Sequence, residues 1–157
     1  MTRRSCLVAE RGSLPKPFAR PTLTFLRRKA AAATAALSWG DPRDSGVAIG
    51  PVISHDSRIR LDELIARARG IGSVIHSPHL TVPSGDAPFV APMIVTDVNP
   101  SSEIVQEESF GPIAVVQTAE SWEQALGLCN AVRQGLVAAL FSTSVEKQNE
   151  FIDRAEA

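Results

Sequence analysis

The sequence lacks three features that would each indicate a specialised class of protein. No apolar run approaches the roughly 18 residues that a membrane-spanning helix needs, which argues against an integral membrane protein. Only two cysteines occur among 157 residues, which is too few for a disulfide framework and favours a reducing compartment such as the cytoplasm. The net charge of −1 argues against a general nucleic-acid binder. The remaining composition, 44% hydrophobic and 21% charged, is that of an ordinary globular protein.

The charged residues are distributed unevenly along the chain. Residues 1–38 carry eight basic side chains and one acidic side chain, a net charge of +7, whereas the rest of the chain carries a net charge of −8. Such a split is found with nucleic-acid arms, membrane-surface helices and targeting peptides, and an Arg-rich, Ala-rich, acid-poor head is typical of organellar import signals. The same residues also suit an ordinary helix. Organellar import therefore stays open beside a cytoplasmic location.

Helix signals divide the chain into a basic head, residues 1–39, and a longer region, residues 40–157. Pro21 stands where a helix can begin, and the Ala-rich composition that follows predicts a helix over residues 22–38. Gly40-Asp41-Pro42 would end that helix, because a glycine just past the end is followed by a proline that cannot continue it.

The middle of the sequence predicts one amphipathic helix followed by a short strand. The helix is expected over Asp56–Arg69, with Gly70 ending it, and the strand over Ile71–His76. Ser77–Pro92 contains several prolines and is expected to be loop or hairpin. Four apolar residues fall on one face of the predicted helix: Leu61, Leu64, Ile65 and Ala68.

The last third of the sequence has a regular alternation of elements. Two apolar segments, Ile113–Thr118 and Val137–Ser142, predict buried strands. The first is followed by a helix over Trp122–Ala131 and the second by a further helix. Strands that alternate with helices across short turns pair in parallel with helices on the sheet faces, so the predicted fold class is α/β. Each helix start shows a capping signal: Ser121 with Gln124, and Thr143 with Glu146.

Few residues stand out as chemical candidates from their spacing alone. His76 and His79 could contribute to a metal site, but no further ligand completes the three or four that zinc needs, so no metal is predicted. Cys129 lies on the apolar stripe of a predicted helix, where a free cysteine usually serves as a small hydrophobe. Cys6 has three arginines nearby in sequence, and nearby cations lower the pKa of a thiol.

Adjacent carboxylates, Glu107 and Glu108, precede Phe110-Gly111-Pro112 and the most apolar strand of the chain. From these residues alone, a solvated acidic turn is the simpler interpretation. Residue spacing by itself completes no catalytic constellation.

Several short motifs follow one another in a fixed order over residues 40–157. The most specific is Glu107-Glu108-Ser109-Phe110-Gly111-Pro112. In order and spacing, the set resembles the C-terminal part of the catalytic domain of the aldehyde dehydrogenase superfamily. The other motifs are Gly40-Asp41-Pro42-Arg43-Asp44, Ile49-Gly50-Pro51-Val52-Ile53-Ser54, Phe89-Val90-Ala91-Pro92, Glu123-Gln124-Ala125-Leu126, Asn130 with Gly135-Leu136, and Ala139-Leu140-Phe141-Ser142.

The resemblance implies a cofactor, NAD or NADP, and two residues that contact it. Glu108 matches the glutamate that accepts hydrogen bonds from the nicotinamide ribose hydroxyls, as a carboxylate can do with two vicinal hydroxyls. Phe110 matches the aromatic ring that packs beside the nicotinamide. The implied fold is the parallel-sheet portion of the catalytic domain, without the dinucleotide-binding domain.

The head of the chain carries a further similarity. Cys6-Leu7-Val8-Ala9-Glu10-Arg11 is similar to the stretch that begins at the family's nucleophilic cysteine, which would make Cys6 the nucleophile. Arg3 and Arg4 stand where the family has Gly-Gln, and the interval from Cys6 to Gly40 is longer than usual. A misplaced start or a shifted reading frame is the alternative interpretation.

The family reaction implied by the resemblance is oxidation of an aldehyde to a carboxylic acid through a cysteine thioester, with hydride transfer to NAD or NADP. The chain is expected to be a family member truncated at both ends, because the Glu-Leu-Gly-Gly segment that supplies the general base does not occur in it and the chain stops at Ala157, before the family's Gly-x-Val-x-Asn continuation. A fragment that is inactive by itself is therefore expected. The alternative is a non-catalytic remnant that associates with a full-length relative or with its own copies. The expected ligand is a small aldehyde, with no nucleic-acid or membrane partner.

Overall fold

The computed structural model describes residues 7–10, 28–76, 86–133, 135 and 137–156. Within these residues, four strands form one sheet, and helices connect or follow them. None of the described helices is long and apolar enough to cross a membrane. The strands are β1 (Leu7–Glu10), β2 (Ser73–His76), β3 (Met93–Thr96) and β4 (Ile113–Ala119). The helices are α1 (residues 28–35), α2 (His55–Ile71), α3 (Glu103–Gln106), α4 (Trp122–Asn130) and α5 (Val145–Arg154).

The sheet has the strand order β1-β4-β3-β2. β4 is central and pairs in parallel with both β1 and β3, with Leu7 opposite Val116 and Met93 opposite Ile113. β2 pairs antiparallel with β3. The predicted α/β class is confirmed, and the sheet is mixed rather than wholly parallel. The N-terminal ends of the three parallel strands β1, β3 and β4 therefore lie at the same end of the sheet. The segment before β4 lies at this end.

Helix α2 packs its predicted apolar face into the core. Leu61, Leu64, Ile65 and Ala68 are all buried, which confirms the periodicity argument. They contact β3, whose four residues are buried as well. Full burial of a large aliphatic side chain contributes roughly 1.5–3 kcal/mol, so this helix–sheet contact is a principal source of stability. The core around α2 is completed by Val90, Val98, Ile104 and Val105.

The ends of α2 differ from the sequence prediction. Ser54 is the N-cap, because its hydroxyl oxygen accepts from the Ser57 N–H at 3.1 Å. The prediction that Gly70 ends the helix is wrong, since the helix continues through Ile71 and the N–H of the C-cap Gly72 donates to Ala68 O at 2.9 Å. A Cβ on Gly72 would lie 2.4 Å from Val98 Cγ1 and 2.8 Å from Thr96 O. Tertiary packing therefore selects the second glycine as the end of the helix.

Two elements had no counterpart in the sequence prediction. β3 is only four residues long and directly follows Pro92. A short apolar run next to a proline does not by itself predict a strand. α3 is a single turn of helix, with Ile104 and Val105 buried. β3 forms because it pairs with β2 and β4 in the sheet, and α3 forms because it buries Ile104 and Val105 in the core. These contacts are with residues distant in sequence, so local sequence does not show them.

The predicted strand over Val137–Ser142 is wrong. Among the described residues of this segment none belongs to a strand, and the Phe141 side chain is 94% exposed. A strand requires a neighbouring strand for its backbone hydrogen bonds. In the described sheet, β1 and β3 pair with the two edges of β4, and residues 137–142 pair with none of the four strands.

Helix α4 begins as predicted. The Ser121 hydroxyl oxygen accepts from the Gln124 N–H at 3.1 Å, and Gln124 Oε1 accepts from the Glu120 N–H at 2.6 Å. Helix α5 is capped by Ser144 and not by the predicted Thr143. None of the α5 residues is buried, and Ile152 is 76% exposed.

Polar contacts hold α5 against α4. The Arg154 guanidinium donates to both carboxylate oxygens of Glu123 at 2.8 and 2.9 Å, and it also pairs with Glu150. Trp122 Nε1 donates to Glu150 Oε2 at 2.6 Å. Asn130 Nδ2 donates to Arg154 O at 2.8 Å. We call this set of five residues the α4–α5 clasp, and it is the principal described contact of a helix that contributes nothing to the core.

Breaking the α4–α5 clasp is expected to release α5 while leaving the sheet intact. The hydrogen bond from Arg154 lowers the pKa of Glu123, so this contact stabilises the folded state above the ordinary carboxyl pKa and is lost as the pH falls through the lowered value. Hydrogen-exchange protection of α5 amides should therefore fall in Glu123→Gln, and also at acidic pH or high salt.

The matched control is Glu120→Gln, which removes an exposed carboxylate just before α4. Unchanged α5 protection in Glu123→Gln, or an equal loss in Glu120→Gln, would contradict the assignment of the clasp.

Candidate functional site

The turn formed by residues 107–112 connects α3 to β4 and lies at the amino end of β4. The Glu107 N–H donates to Glu103 O at 2.8 Å, which ends α3. At the other end, the Met93 N–H donates to Pro112 O at 3.0 Å, which ties the turn to the start of β3. We call this segment the Glu108 turn. Its two ends are thus fixed by backbone hydrogen bonds to neighbouring elements.

Phe110 has an unusual backbone conformation in this turn. Its φ is +52°, in the left-handed region that residues with a Cβ rarely occupy. Its side chain is 61% exposed, although an aromatic ring of this size would gain from burial. Non-glycine residues in such conformations are concentrated at functional sites, where surrounding contacts hold them. The positive φ and the exposed ring together indicate that Phe110 is a binding residue.

Gly111 allows the turn to lie directly on α2. A Cβ at this position would be 2.7 Å from Leu61 Cδ1 and 2.8 Å from Leu61 Cδ2, and Leu61 is fully buried. Only a residue without a side chain permits this approach. The exposed Phe110 ring is therefore carried by a turn that packs directly against the buried core.

Two arginines contact the Glu108 turn from distant parts of the sequence. Arg60 Nη2, on α2, donates to Ser109 O at 2.6 Å. Arg133 Nη1, from the segment after α4, donates to Glu107 Oε1 at 3.2 Å. Neither arginine was predicted from the sequence, because they lie 49 and 26 residues from their partners. No local spacing signal could have identified them.

The Glu108 side chain is partly buried. Within the described part of the chain, no side chain forms an ion pair or hydrogen bond with its carboxylate. Because Glu107 is paired with Arg133 and Glu108 is not, the two adjacent carboxylates have different environments. Among the described residues, the Glu108 carboxylate is thus the one of the two without a partner, and it stands two residues before the exposed Phe110.

Two cysteines and two histidines were the other candidates from the sequence. Cys6 lies outside the described residues, and β1 begins at the next residue, Leu7. His76 is the last residue of β2, whereas His79 lies outside the described residues. In the described ranges, no group of three or more His, Cys, Asp or Glu side chains could hold a metal ion. Cys129 is partly buried, and this burial raises the pKa of its thiol, as suits a small hydrophobe.

Comparison with known proteins gives a consistent result. The model of the aldehyde dehydrogenase family matches residues 6–157, which includes most of the basic head. A probable methylmalonate-semialdehyde/malonate-semialdehyde dehydrogenase (acylating, mitochondrial) of Drosophila melanogaster is 36% identical over 115 residues. That alignment covers 71% of this chain and 22% of the relative, so the chain spans about a fifth of the relative's length.

The solved structures that share the fold include two aldehyde dehydrogenases. The NAD-dependent benzaldehyde dehydrogenase of Corynebacterium glutamicum superposes with a TM-score of 0.73 at 30% identity, over 83% of this chain and 28% of that protein. The betaine aldehyde dehydrogenase of Staphylococcus aureus, solved in complex with NAD⁺, superposes with a TM-score of 0.72 at 25% identity, over 82% of this chain and 26% of that protein.

Proposed function

The chain belongs to the aldehyde dehydrogenase family, and we propose that it supplies the nicotinamide-contacting turn of an NAD(P)-dependent enzyme that oxidises an aldehyde to a carboxylic acid. The observation that carries this proposal is the Glu108 turn. It carries the exposed Phe110 ring two residues after Glu108, whose carboxylate has no partner among the described residues, on a backbone that packs against Leu61.

The residues of the turn suit a nicotinamide nucleotide. A carboxylate can accept hydrogen bonds from two vicinal ribose hydroxyls, and Glu108 has no competing partner in the described structure. An aromatic ring can lie against a planar cofactor ring and exclude water from it, and Phe110 is exposed enough to do so. The Gly111 contact with Leu61 keeps both groups on a rigid support. When bound, the cofactor accepts a hydride from the substrate.

We further assign Cys6 as the nucleophile. β1 and β4 are parallel neighbours, so their N-terminal ends lie at the same end of the sheet. In sequence, Cys6 directly precedes β1, and the Glu108 turn directly precedes β4. A Cys6 thiolate would attack the aldehyde carbon, and the thioester that remains after oxidation would be hydrolysed by water. Hydrolysis requires a general base, and the Glu-Leu-Gly-Gly segment that carries it in the family does not occur here. The purified 157-residue chain is therefore proposed to be inactive by itself.

The proposal is tested by NAD⁺ contact with the purified chain, measured as saturation transfer from protein to ligand by NMR. We expect transfer to the nicotinamide and its ribose protons, and a loss of roughly threefold to tenfold in binding in Phe110→Ala and in Glu108→Gln, which corresponds to the roughly 0.5–1.5 kcal/mol that one typical hydrogen bond or contact contributes. Transfer to the adenine protons should be weaker, because the Glu108 turn contacts the nicotinamide end.

Two matched variants control this experiment. Phe141→Ala removes another exposed phenylalanine, and Glu107→Gln removes the adjacent carboxylate; neither should change the nicotinamide signals appreciably. Absence of saturation transfer in the unsubstituted chain, or equal effects in the test and control variants, would refute the assignment of Glu108 and Phe110.

A further inference from the structure

We infer that Arg60 is a positioning residue that holds the Glu108 turn in its cofactor-binding conformation. This inference rests on the proposed function for the identity of the ligand, and on geometry for the position of the turn. Arg60 lies on α2 and donates from Nη2 to Ser109 O at 2.6 Å. The two partners are 49 residues apart in sequence, so the contact joins the core helix directly to the middle of the turn.

The Ser109 carbonyl belongs to the peptide group that ends at the Phe110 nitrogen. The orientation of this peptide plane sets φ at Phe110, because φ is the rotation about the bond from that nitrogen to the Phe110 Cα. Arg60, which is fixed on α2, therefore restrains rotation about the N–Cα bond of Phe110. That rotation is the one that would take Phe110 out of the left-handed region. Such conformations persist only where surrounding contacts hold them.

Other contacts restrain the ends of the turn and leave its middle free. Glu107 is held by α3, while Gly111 and Pro112 are held by Leu61 and Met93. Within the described part of the chain, the Arg60 contact is the only hydrogen bond to the backbone of residues 108–110. Arg60 is thus the one described group that restrains the peptide between Glu108 and Phe110.

Two other arginines provide matched controls. Arg58 lies on the same helix and pairs with Asp62 within α2 at 3.6 Å. Arg133 pairs with Glu107, but their side chains are 75% and 54% exposed, and ion pairs with such exposure contribute little. Removal of either charge should leave the conformation of Phe110 unchanged.

The experiment is NMR on the full 157-residue chain with isotopically labelled phenylalanine. In the unsubstituted chain, φ-dependent scalar couplings and cross-correlated relaxation of Phe110 should report a positive φ. In Arg60→Met, these values should move toward a negative or averaged φ, while the amide signals of β4 remain in place. NAD⁺ binding should weaken roughly two- to fivefold, as expected for the loss of one exposed charge interaction.

Arg60→Lys tests rescue, because a lysine can still donate one hydrogen bond to the carbonyl and should restore part of the Phe110 signature. Arg60→Gln is measured beside it, so that a folding failure of Arg60→Met leaves the test intact. Arg58→Met and Arg133→Met should retain both the positive φ and NAD⁺ binding.

The outcomes separate this inference from the proposed function. A Phe110 φ that stays positive in the folded Arg60→Met and Arg60→Gln variants would overturn the positioning role, whatever NAD⁺ does. Loss of the positive φ in these variants, in a chain that shows no saturation transfer to NAD⁺, would sustain the role of Arg60 in holding the turn and refute the proposed cofactor.

Discussion

Replacement of Gly111 by alanine is expected to destabilise the chain by about 1–3 kcal/mol, the range typical of overpacking in a core. The new Cβ would lie 2.7 Å from Leu61 Cδ1, a separation that real atoms do not adopt. Leu61 is fully buried and cannot move aside without displacing its neighbours. Urea unfolding followed by circular dichroism measures the change in the free energy of unfolding.

A double-mutant cycle with Leu61→Ala tests the cause of this effect. Leu61→Ala alone should cost about 2–5 kcal/mol, because it removes buried methyl groups and leaves a cavity. In that background, Gly111→Ala should cost less than it does in the unsubstituted chain, since the cavity accepts the added methyl group. Additive costs would show that the two residues do not contact each other as described.

Gly127→Ala is the control for the Gly111 substitution. Gly127 lies in α4, and no atom stands within 4 Å of a Cβ built on it. Alanine there should be neutral or stabilising, because alanine favours a helix over glycine. The contrast between the two sites separates the steric cost at Gly111 from any general effect of glycine replacement.

Gly72→Ala and Gly70→Ala are expected to change stability in opposite directions. A Cβ on Gly72 would lie 2.4 Å from Val98 Cγ1 and 2.8 Å from Thr96 O, and since the second of these is a backbone atom, the cost should be at least about 2 kcal/mol. Gly70 lies inside α2 with open space around a Cβ, so alanine should stabilise the chain by about 0.5–1 kcal/mol. Urea unfolding of both variants measures the difference.

The two glycines stand two residues apart, which makes each a control for the other. Destabilisation of both variants by similar amounts would indicate that the helix ends at Gly70, as local sequence rules predict. An increase in stability for Gly70→Ala alone would support continuation of the helix to Ile71.

Part of the fold follows directly from local sequence. The apolar face of α2 was predicted from the 3.6-residue repeat, and all four of its predicted residues are buried, because the repeat itself determines which side chains share one face. The cap at Ser121 was predictable for a similar reason, since both of its partners lie within a few residues. β4 was recognisable as an apolar run with turn signals on either side.

Other parts depended on contacts between distant residues. Val137–Ser142 has the composition of a strand, yet its residues belong to none of the described strands, because a strand forms only where a neighbouring backbone supplies its hydrogen bonds. The end of α2 was decided by the space beside Val98 and Thr96. In both cases the local preference was real, and the outcome depended on residues far away in sequence.

The candidate site likewise has some features that local sequence determines and others that depend on contacts between distant residues. The sequence by itself determined the order of its residues, and the motif around Glu108 and Phe110 was sufficient for the family resemblance. Only the tertiary structure decided that Phe110 is left-handed, that Gly111 lies on Leu61, and that Arg60 reaches Ser109. The physical reason is that motifs and periodicity reflect contacts between residues only a few positions apart. The Glu108 turn is instead supported by helix α2, some fifty residues earlier in the chain, and only folding brings that helix beside the turn.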